Sequence, residues 1–313
     1  MEYFALAYYI FEHIEEPKRE VKNHKRFFKD LDVQGRIYIS KEGINGQMSG
    51  SAEACDKYME WLKSDPRFSR VHFKLHPLKE NIFPRMTVKY REHLVALGEE
   101  ADVKDGGEHV CPQEWKKMLE SGEYLILDVR NNYESKIGHF EGATLPDLET
   151  FRDFPAYADK LATEKEPENT KVMMYCTGGI RCEVYSALLK KRGFKDVYQL
   201  DGGVINYGLK EGKEHWKGSL FVFDDRLATS IDGEKAEPIS NCSFCNEPSD
   251  TYYNCANMDC NELFLACPKC IEKQEGACSE ACQYAPRKRP FDLSKGNRPF
   301  RKKHLLECGC LTD

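Results

Sequence analysis

The sequence predicts a mixed α/β protein in three sections. These are an α+β N-terminal domain, a central α/β domain on a parallel sheet, and a cysteine-rich C-terminal segment. Three observations carry that prediction. Residues 3–97 interleave apolar strand-like runs with two helical patterns. Residues 110–218 alternate strand and helix, the signature of a parallel sheet. Eight cysteines crowd into residues 242–282. The expected boundaries are 1–98, a linker at 99–109, 110–225 and 226–313.

In the first section, residues 3–10 are apolar and aromatic, hence a strand. Residues 17–31 carry Val21, Phe27, Phe28 and Leu31 at helical spacing. Residues 36–40 form a short strand, then Glu42-Gly-Ile-Asn-Gly46 reads as a turn before a second short strand at 47–49. Ser51 suits an N-cap, opening a helix that carries Tyr58, Trp61 and Leu62. Residues 71–75 and 85–97 supply further strands. The order β-α-β-β-α-β fits a ferredoxin-like sandwich. Most of Tyr3, Phe4, Tyr8, Tyr9 and Phe11 are expected in its core. Lys41, Arg85 and Lys89 are either phosphate contacts or ordinary solvated surface.

The stretch 98–109 is polar, with five acids and three glycines, and reads as a linker. Strands follow at 124–129, 171–175 and 197–200, with helices at 112–121 and 182–192. Reactive groups of parallel sheets sit at the C-terminal strand ends. Cys176 lies at one, in the run Cys176-Thr-Gly-Gly-Ile-Arg-Cys-Glu183. The loop Thr177, Gly178, Gly179, Ile180 brings backbone N–H groups and a helix N-terminus to the sulfur, and both favour an anion. The thiol pKa is therefore expected to fall below its usual ~8.5, giving a nucleophile at neutral pH. The competing reading is a structural cysteine at a strand end. A Cys-x5-Arg phosphatase loop needs arginine where Cys182 stands; here it comes one residue earlier, at Arg181. From the loop alone, sulfur transfer through a Cys176 persulfide is the expected chemistry. Arg181 either stabilises charge or holds the loop, Cys182 either resolves a disulfide or packs at the helix start, and His139 either acts as acid/base or makes one structural hydrogen bond.

The C-terminal thiols are Cys242, Cys245, Cys255, Cys260, Cys267, Cys270, Cys278 and Cys282. Cys-x2-Cys pairs suit tetrahedral zinc, and eight thiols serve two four-cysteine sites. Disulfides and an unmetallated thiol cluster are the alternatives. Cys308 and Cys310 are a spare pair or part of a tail. Residues 287–304 hold eight Lys/Arg against the single acid Asp292. The net charge of −6 argues against general nucleic-acid binding; this segment is either the one place that concentrates phosphate contacts or a solvated basic tail. No apolar run approaches the ~20 residues that span a bilayer. The first residues lack a basic export region, and thiols outside the export route stay reduced, so a cytoplasmic protein is expected.

Asp128-Val-Arg130, Gly138-His-Phe-Glu-Gly-Ala143, the Cys176 loop and Leu200-Asp-Gly-Gly203 resemble the ordered motifs of a rhodanese domain. With Glu42-Gly-Ile-Asn-Gly46, Asn131-Asn-Tyr-Glu134, Phe151-Arg-Asp-Phe-Pro155 and Phe221-Val-Phe-Asp-Asp-Arg226, the chain resembles the rhodanese-like tRNA uridine-34 hydroxylase family over about residues 3–285. The resemblance implies an acylphosphatase-like (ferredoxin-like) domain joined to a rhodanese domain and a cysteine-rich tail. It implies an oxidoreductase that forms 5-hydroxyuridine at the wobble position, using molecular oxygen and an unidentified electron donor. The implied partner is the tRNA anticodon region. The family's reactive cysteine falls on Cys176, its loop arginine on Arg181, and its framework pair on Asp128 and Arg130. A plain sulfurtransferase and a non-enzymatic scaffold are the competing functions. The intact loop counts against the scaffold, and the flanking domains count against a minimal sulfur carrier. No flavin fingerprint, haem motif or two-histidine-one-carboxylate pattern names an oxidant.

Overall fold

A computed structural model describes residues 2–295 and 297 of the chain. The expectations for Arg301, Lys302, Lys303, Cys308 and Cys310 lie outside the described residues. The chain forms two compact units. One joins Met1–Asn132 to Gly142–His215; the other joins Tyr133–Glu141 to the chain from Trp216 onward.

The N-terminal sheet has five strands in the order β4-β1-β3-β2-β5, from β1 (Tyr3–Phe11), β2 (Val33–Ser40), β3 (Gly43–Ser51), β4 (Lys74–Leu78) and β5 (Met86–Tyr90). The first four are antiparallel in the ferredoxin-like arrangement, and β5 runs parallel to β2. Helices α1 (Pro17–Phe27) and α2 (Ala52–Ser64) supply the other layer. Ser51 caps α2 as expected, its side chain accepting from the Ala54 N–H. Leu6, Tyr8, Ile37, Ile39, Met48, Tyr58 and Leu62 meet in the core. Of the β1 aromatics only Tyr8 is fully buried; Tyr3, Phe4, Tyr9 and Phe11 are half-buried. Period-two alternation sends Tyr9 to the face opposite Tyr8.

Three local readings change. The strand expected at 71–75 lies at Lys74–Leu78, and the one expected at 85–97 covers only Met86–Tyr90. Glu42-Gly-Ile-Asn-Gly46 is mostly strand, not turn; the hairpin turns at Lys41 and Glu42, and Ser40 faces Gly43. A Cβ on Gly46 would lie 2.3 Å from the Tyr8 ring, so the glycine makes room for a cross-strand aromatic.

The central sheet is fully parallel, in the order β6-β10-β9-β7. Along the chain the elements here are β6 (Glu108–Val110), α3 (Pro112–Ser121), β7 (Leu125–Asp128), α4 (Asn132–Ile137), β8 (Gly138–Phe140, outside this sheet), α5 (Phe154–Glu164), β9 (Val172–Tyr175), α6 (Ile180–Lys191), β10 (Val197–Leu200) and α7 (Gly203–Glu211). Strand β6 lies in the stretch read as linker and pairs with β10 at Glu108↔Tyr198. All four residues of β9 are buried, and Leu127, Phe154, Met174, Leu188 and Leu189 pack in one core.

In the second unit, β8 pairs with β11 (Trp216–Gly218), and β12 (Leu220–Phe221) with β13 (Ala228–Thr229). A hairpin of β14 (Tyr252–Asn254) and β15 (Leu263–Leu265) precedes two short helices, α8 (Pro268–Lys273) and α9 (Glu280–Gln283). Its small core consists of Tyr253, Phe264 and Ile271 packed among the cysteines themselves. No helix among the described residues is long and apolar enough to cross a membrane.

Candidate active site and cysteine clusters

Strand β9 delivers Cys176 to the C-terminal edge of the parallel sheet, and α6 begins four residues later. The Gly179 N–H donates to Cys176 Sγ at 3.1 Å. Gly179 adopts φ +101°, and the ring of Tyr9 lies where a Cβ would go. The next helix holds the loop from behind: the N–H groups of Val204 and Ile205 donate to the carbonyls of Cys176 and Thr177 at 3.0 and 3.1 Å. Arg181 donates to Thr177 Oγ1 at 3.4 Å.

Cys176 is fully buried. Burial alone pushes its thiol up. The hydrogen bond from Cys182, the Arg181 charge and the N–H groups of Arg181 and Gly179 outweigh that and bring its pKa down to about 5. Burial and the neighbouring Cys176 push the Cys182 thiol well above its usual range. The pair therefore holds one proton at neutral pH, on Cys182, donated toward the Cys176 thiolate. Ile180 opens α6 and is half-buried.

Asp128 and Arg130 form a fully buried, two-pronged ion pair, with Nε to Oδ1 at 2.8 Å and Nη2 to Oδ2 at 2.6 Å. The Tyr175 hydroxyl donates to the same carboxylate at 2.8 Å, tying β7 to the residue before the cysteine. His139, in the second unit, places Nδ1 2.8 Å from the Ser135 carbonyl.

Sequence reasoning missed a ring of polar groups around the loop. Glu183 Oε1 accepts from the Tyr9 hydroxyl at 2.8 Å and lies 2.9 Å from His109 Nε2. Burial alone would raise this carboxyl; the bonds from His109, Tyr9 and Gln199 hold it below its usual range. Lys74 Nζ donates to the Gly178 carbonyl at 2.5 Å. Tyr9 and Lys74 stand far from Cys176 in sequence, and no local signal marks them.

The eight C-terminal cysteines gather into two quartets: Cys242, Cys245, Cys267 and Cys270, and Cys255, Cys260, Cys278 and Cys282. Within each, the four sulfurs lie within 4.8 Å of one another. Neighbouring sulfurs stand 3.7 Å apart at Cys245–Cys267 and Cys260–Cys278, and 3.8 Å apart at Cys278–Cys282. Four sulfurs held ~2.3 Å from a tetrahedral ion lie about 3.8 Å apart, so the geometry fits one metal per quartet. Asn246 and Asn261, each directly after the second cysteine of a pair, take φ of +61° and +53° and turn the chain back.

Three sequence profiles match: the UPF0176 acylphosphatase-like domain at residues 3–94, the rhodanese-like domain at 112–209, and the rhodanese C-terminal segment at 217–283. The chain is 61% identical over 305 residues to the tRNA uridine(34) hydroxylase of Chlamydia muridarum, covering 97% of this chain and 93% of that one. The chain belongs to the tRNA uridine(34) hydroxylase family. The Chlamydia pneumoniae member of this family is 58% identical over 307 residues, covering 97% and 95% of the two chains. Among solved structures, a rhodanese-like domain from Anabaena is 26% identical, covering 35% of this chain and 78% of that one, with a TM-score of 0.29.

The basic stretch is partly spent within the fold. Arg287 pairs with Asp259 at 2.5 Å, Lys288 pairs with Glu275, and Arg289 donates to the Asn254 carbonyl. Lys41, Arg85 and Lys89 are all exposed.

Proposed function

We propose that this chain is an oxidoreductase that hydroxylates the wobble uridine, position 34, of tRNA to 5-hydroxyuridine, with Cys176 as its reactive group. The observation that carries this reading is a buried cysteine at the end of β9, its sulfur accepting from the Gly179 N–H, in a chain that matches tRNA uridine(34) hydroxylases over nearly its whole length. The thiolate adds to C6 of the uracil, and the C5–C6 double bond becomes a nucleophilic C5. One atom of dioxygen is transferred to C5. The other leaves as water, taking two electrons and two protons from a donor. Loss of the C5 proton and cleavage of the Sγ–C6 bond restore the ring and the thiolate. Within the loop Thr177, Gly178, Gly179 and Ile180, the Gly179 N–H, together with the N–H and guanidinium of Arg181, holds the sulfur as an anion between turnovers. Asp128 and Arg130 keep β7 and β9 in register beneath it.

In this reading residues 1–98, 110–225 and 226–313 act as three parts on one substrate, the anticodon region of a cytoplasmic tRNA. Unstacked anticodon bases suit capture by aromatic rings and phosphate contacts. Each cysteine quartet holds one zinc ion, and all-thiolate ligation marks these as structural sites. The test is mass spectrometry of tRNA nucleosides from cells that depend on this protein. Cys176→Ser should abolish 5-hydroxyuridine, and persistence of the modification at its normal level would remove Cys176 from the reaction.

A further inference from the structure

The peptide unit between Gly178 and Gly179 has two ends, and both are engaged. Its N–H donates to Cys176 Sγ at 3.1 Å, and its C=O accepts from Lys74 Nζ at 2.5 Å. In a trans peptide these two groups point in opposite directions, and no cis bond occurs among the described residues. The ammonium of Lys74 and the sulfur of Cys176 therefore sit at opposite ends of one dipole. A cation on the carbonyl polarises the unit and strengthens its N–H as a donor, as in any chain of hydrogen bonds. It also fixes the peptide plane, which two glycines would otherwise leave free to rotate.

We infer that Lys74 is a positioning residue for the reactive thiolate, acting from the N-terminal domain through the Gly178–Gly179 peptide. The inference rests on the reading of Cys176 as the reactive group. Strand pairing explains how the lysine arrives. Ala7 faces Lys74 across β1 and β4, so Tyr9, two residues on, shares its face of the sheet. The ammonium lies 5.1 Å from the centre of the Tyr9 ring. Lys74 is half-buried. Burial pushes its pKa down to about 8, opposed by Cys176, Asp201 and Glu183, so lysine and cysteine are both charged at neutral pH. The ionisable groups facing this pair are Tyr9 from β1, Arg181, Cys182 and Glu183 from α6, and Asp201 after β10. Of the groups facing the pair, Arg181 is the cation.

The experiment needs no tRNA, so its failure is distinct from failure of the hydroxylase reading. Iodoacetamide alkylation of Cys176 in the full chain is followed against pH by peptide mass spectrometry. Lys74→Met should raise the titration midpoint by about one pH unit, leaving about tenfold less thiolate below it. Lys74→Arg, which keeps the charge, should titrate close to the unmodified protein. Tyr9→Phe removes the bond to Glu183 but leaves the ammonium on Gly178, and it should leave the midpoint in place. An unmoved midpoint in Lys74→Met would overturn the inference. So would equal shifts in Lys74→Met and Tyr9→Phe, which would reduce Lys74 to a docking contact.

Discussion

At Cys176, burial and hydrogen bonding pull in opposite directions, and hydrogen bonding wins. Moving an anion away from water is costly, yet the sulfur meets the Cys182 thiol, two N–H donors and a guanidinium within one turn of chain. The sign of the pH response follows. A folded-state pKa of about 5 lies below the unfolded value of ~8.5. Alkylation of Cys176 should be near its maximum at neutral pH and fall as pH drops through about 5, by about tenfold per unit below it. Measuring the rate across that range checks this; a midpoint near the free-thiol value would mean that the loop does not stabilise the anion. The same group contributes stability above the unfolded pKa and loses it as pH falls through the folded one. Cys182 acts in the opposite sense: its raised pKa contributes stability that is full below the unfolded value and declines as pH rises above it.

At the scale of elements, Gly203 is as necessary to the site as the cysteine loop. It takes φ +67°, and a Cβ there would come within 2.5 Å of the Cys176 carbonyl oxygen and 2.7 Å of the Gly179 nitrogen. Gly122 has nearly the same φ, +68°, with nothing within 4 Å of its would-be Cβ. The pair separates backbone strain from collision. Gly122→Ala should cost about 1 kcal/mol in urea unfolding and leave Cys176 alkylation unchanged. Gly203→Ala should cost more and slow alkylation, because backbone atoms of the loop must move. Equal behaviour of the two would mean that α7 does not hold the loop. Much at this scale was legible in the sequence. Apolar runs marked β7, β9 and β10, and Ser51 marked the start of α2. The second half of β3 was legible, but its first half was hidden because Gly43 and Gly46 read as turn signals, whereas Gly46 serves close approach by Tyr8. The strand β6 was hidden because its pairing partner, β10, lies ninety residues downstream and only tertiary pairing makes so polar a segment a strand. Cys176 and Arg181 were legible because the loop is contiguous; Lys74, Tyr9 and His109 were not, because folding alone brings them to it.

At the scale of the whole molecule, the two units are stabilised by different means. The first has two apolar cores under its sheets. The C-terminal part of the second has few large apolar side chains and packs them around cysteines, so we predict that its order depends on metal cross-links more than on buried area. Removal of metal by a strong chelator under reducing conditions should open residues 242–282 to limited proteolysis while leaving Cys176 alkylation unchanged. Metal analysis should give two zinc ions per chain, one for each quartet. Stoichiometry near zero in reductively purified protein, or protease resistance that survives chelation, would remove zinc from the description. Sequence spacing had suggested two four-cysteine sites but not which pairs combine, since spacing alone does not distinguish neighbouring pairs from alternating ones.

The alternating combination bears on how the protein is made. The first quartet is completed by Cys267 and Cys270, and the second by Cys278 and Cys282, while Cys255 and Cys260 lie inside the span of the first. On a ribosome, Cys242, Cys245, Cys255 and Cys260 therefore emerge together, before the correct partners of either pair exist. A metal ion captured then would join two pairs that the finished protein keeps apart. Forming the two quartets from such a captured state would require that ion to exchange its ligands after Cys278 and Cys282 have been made.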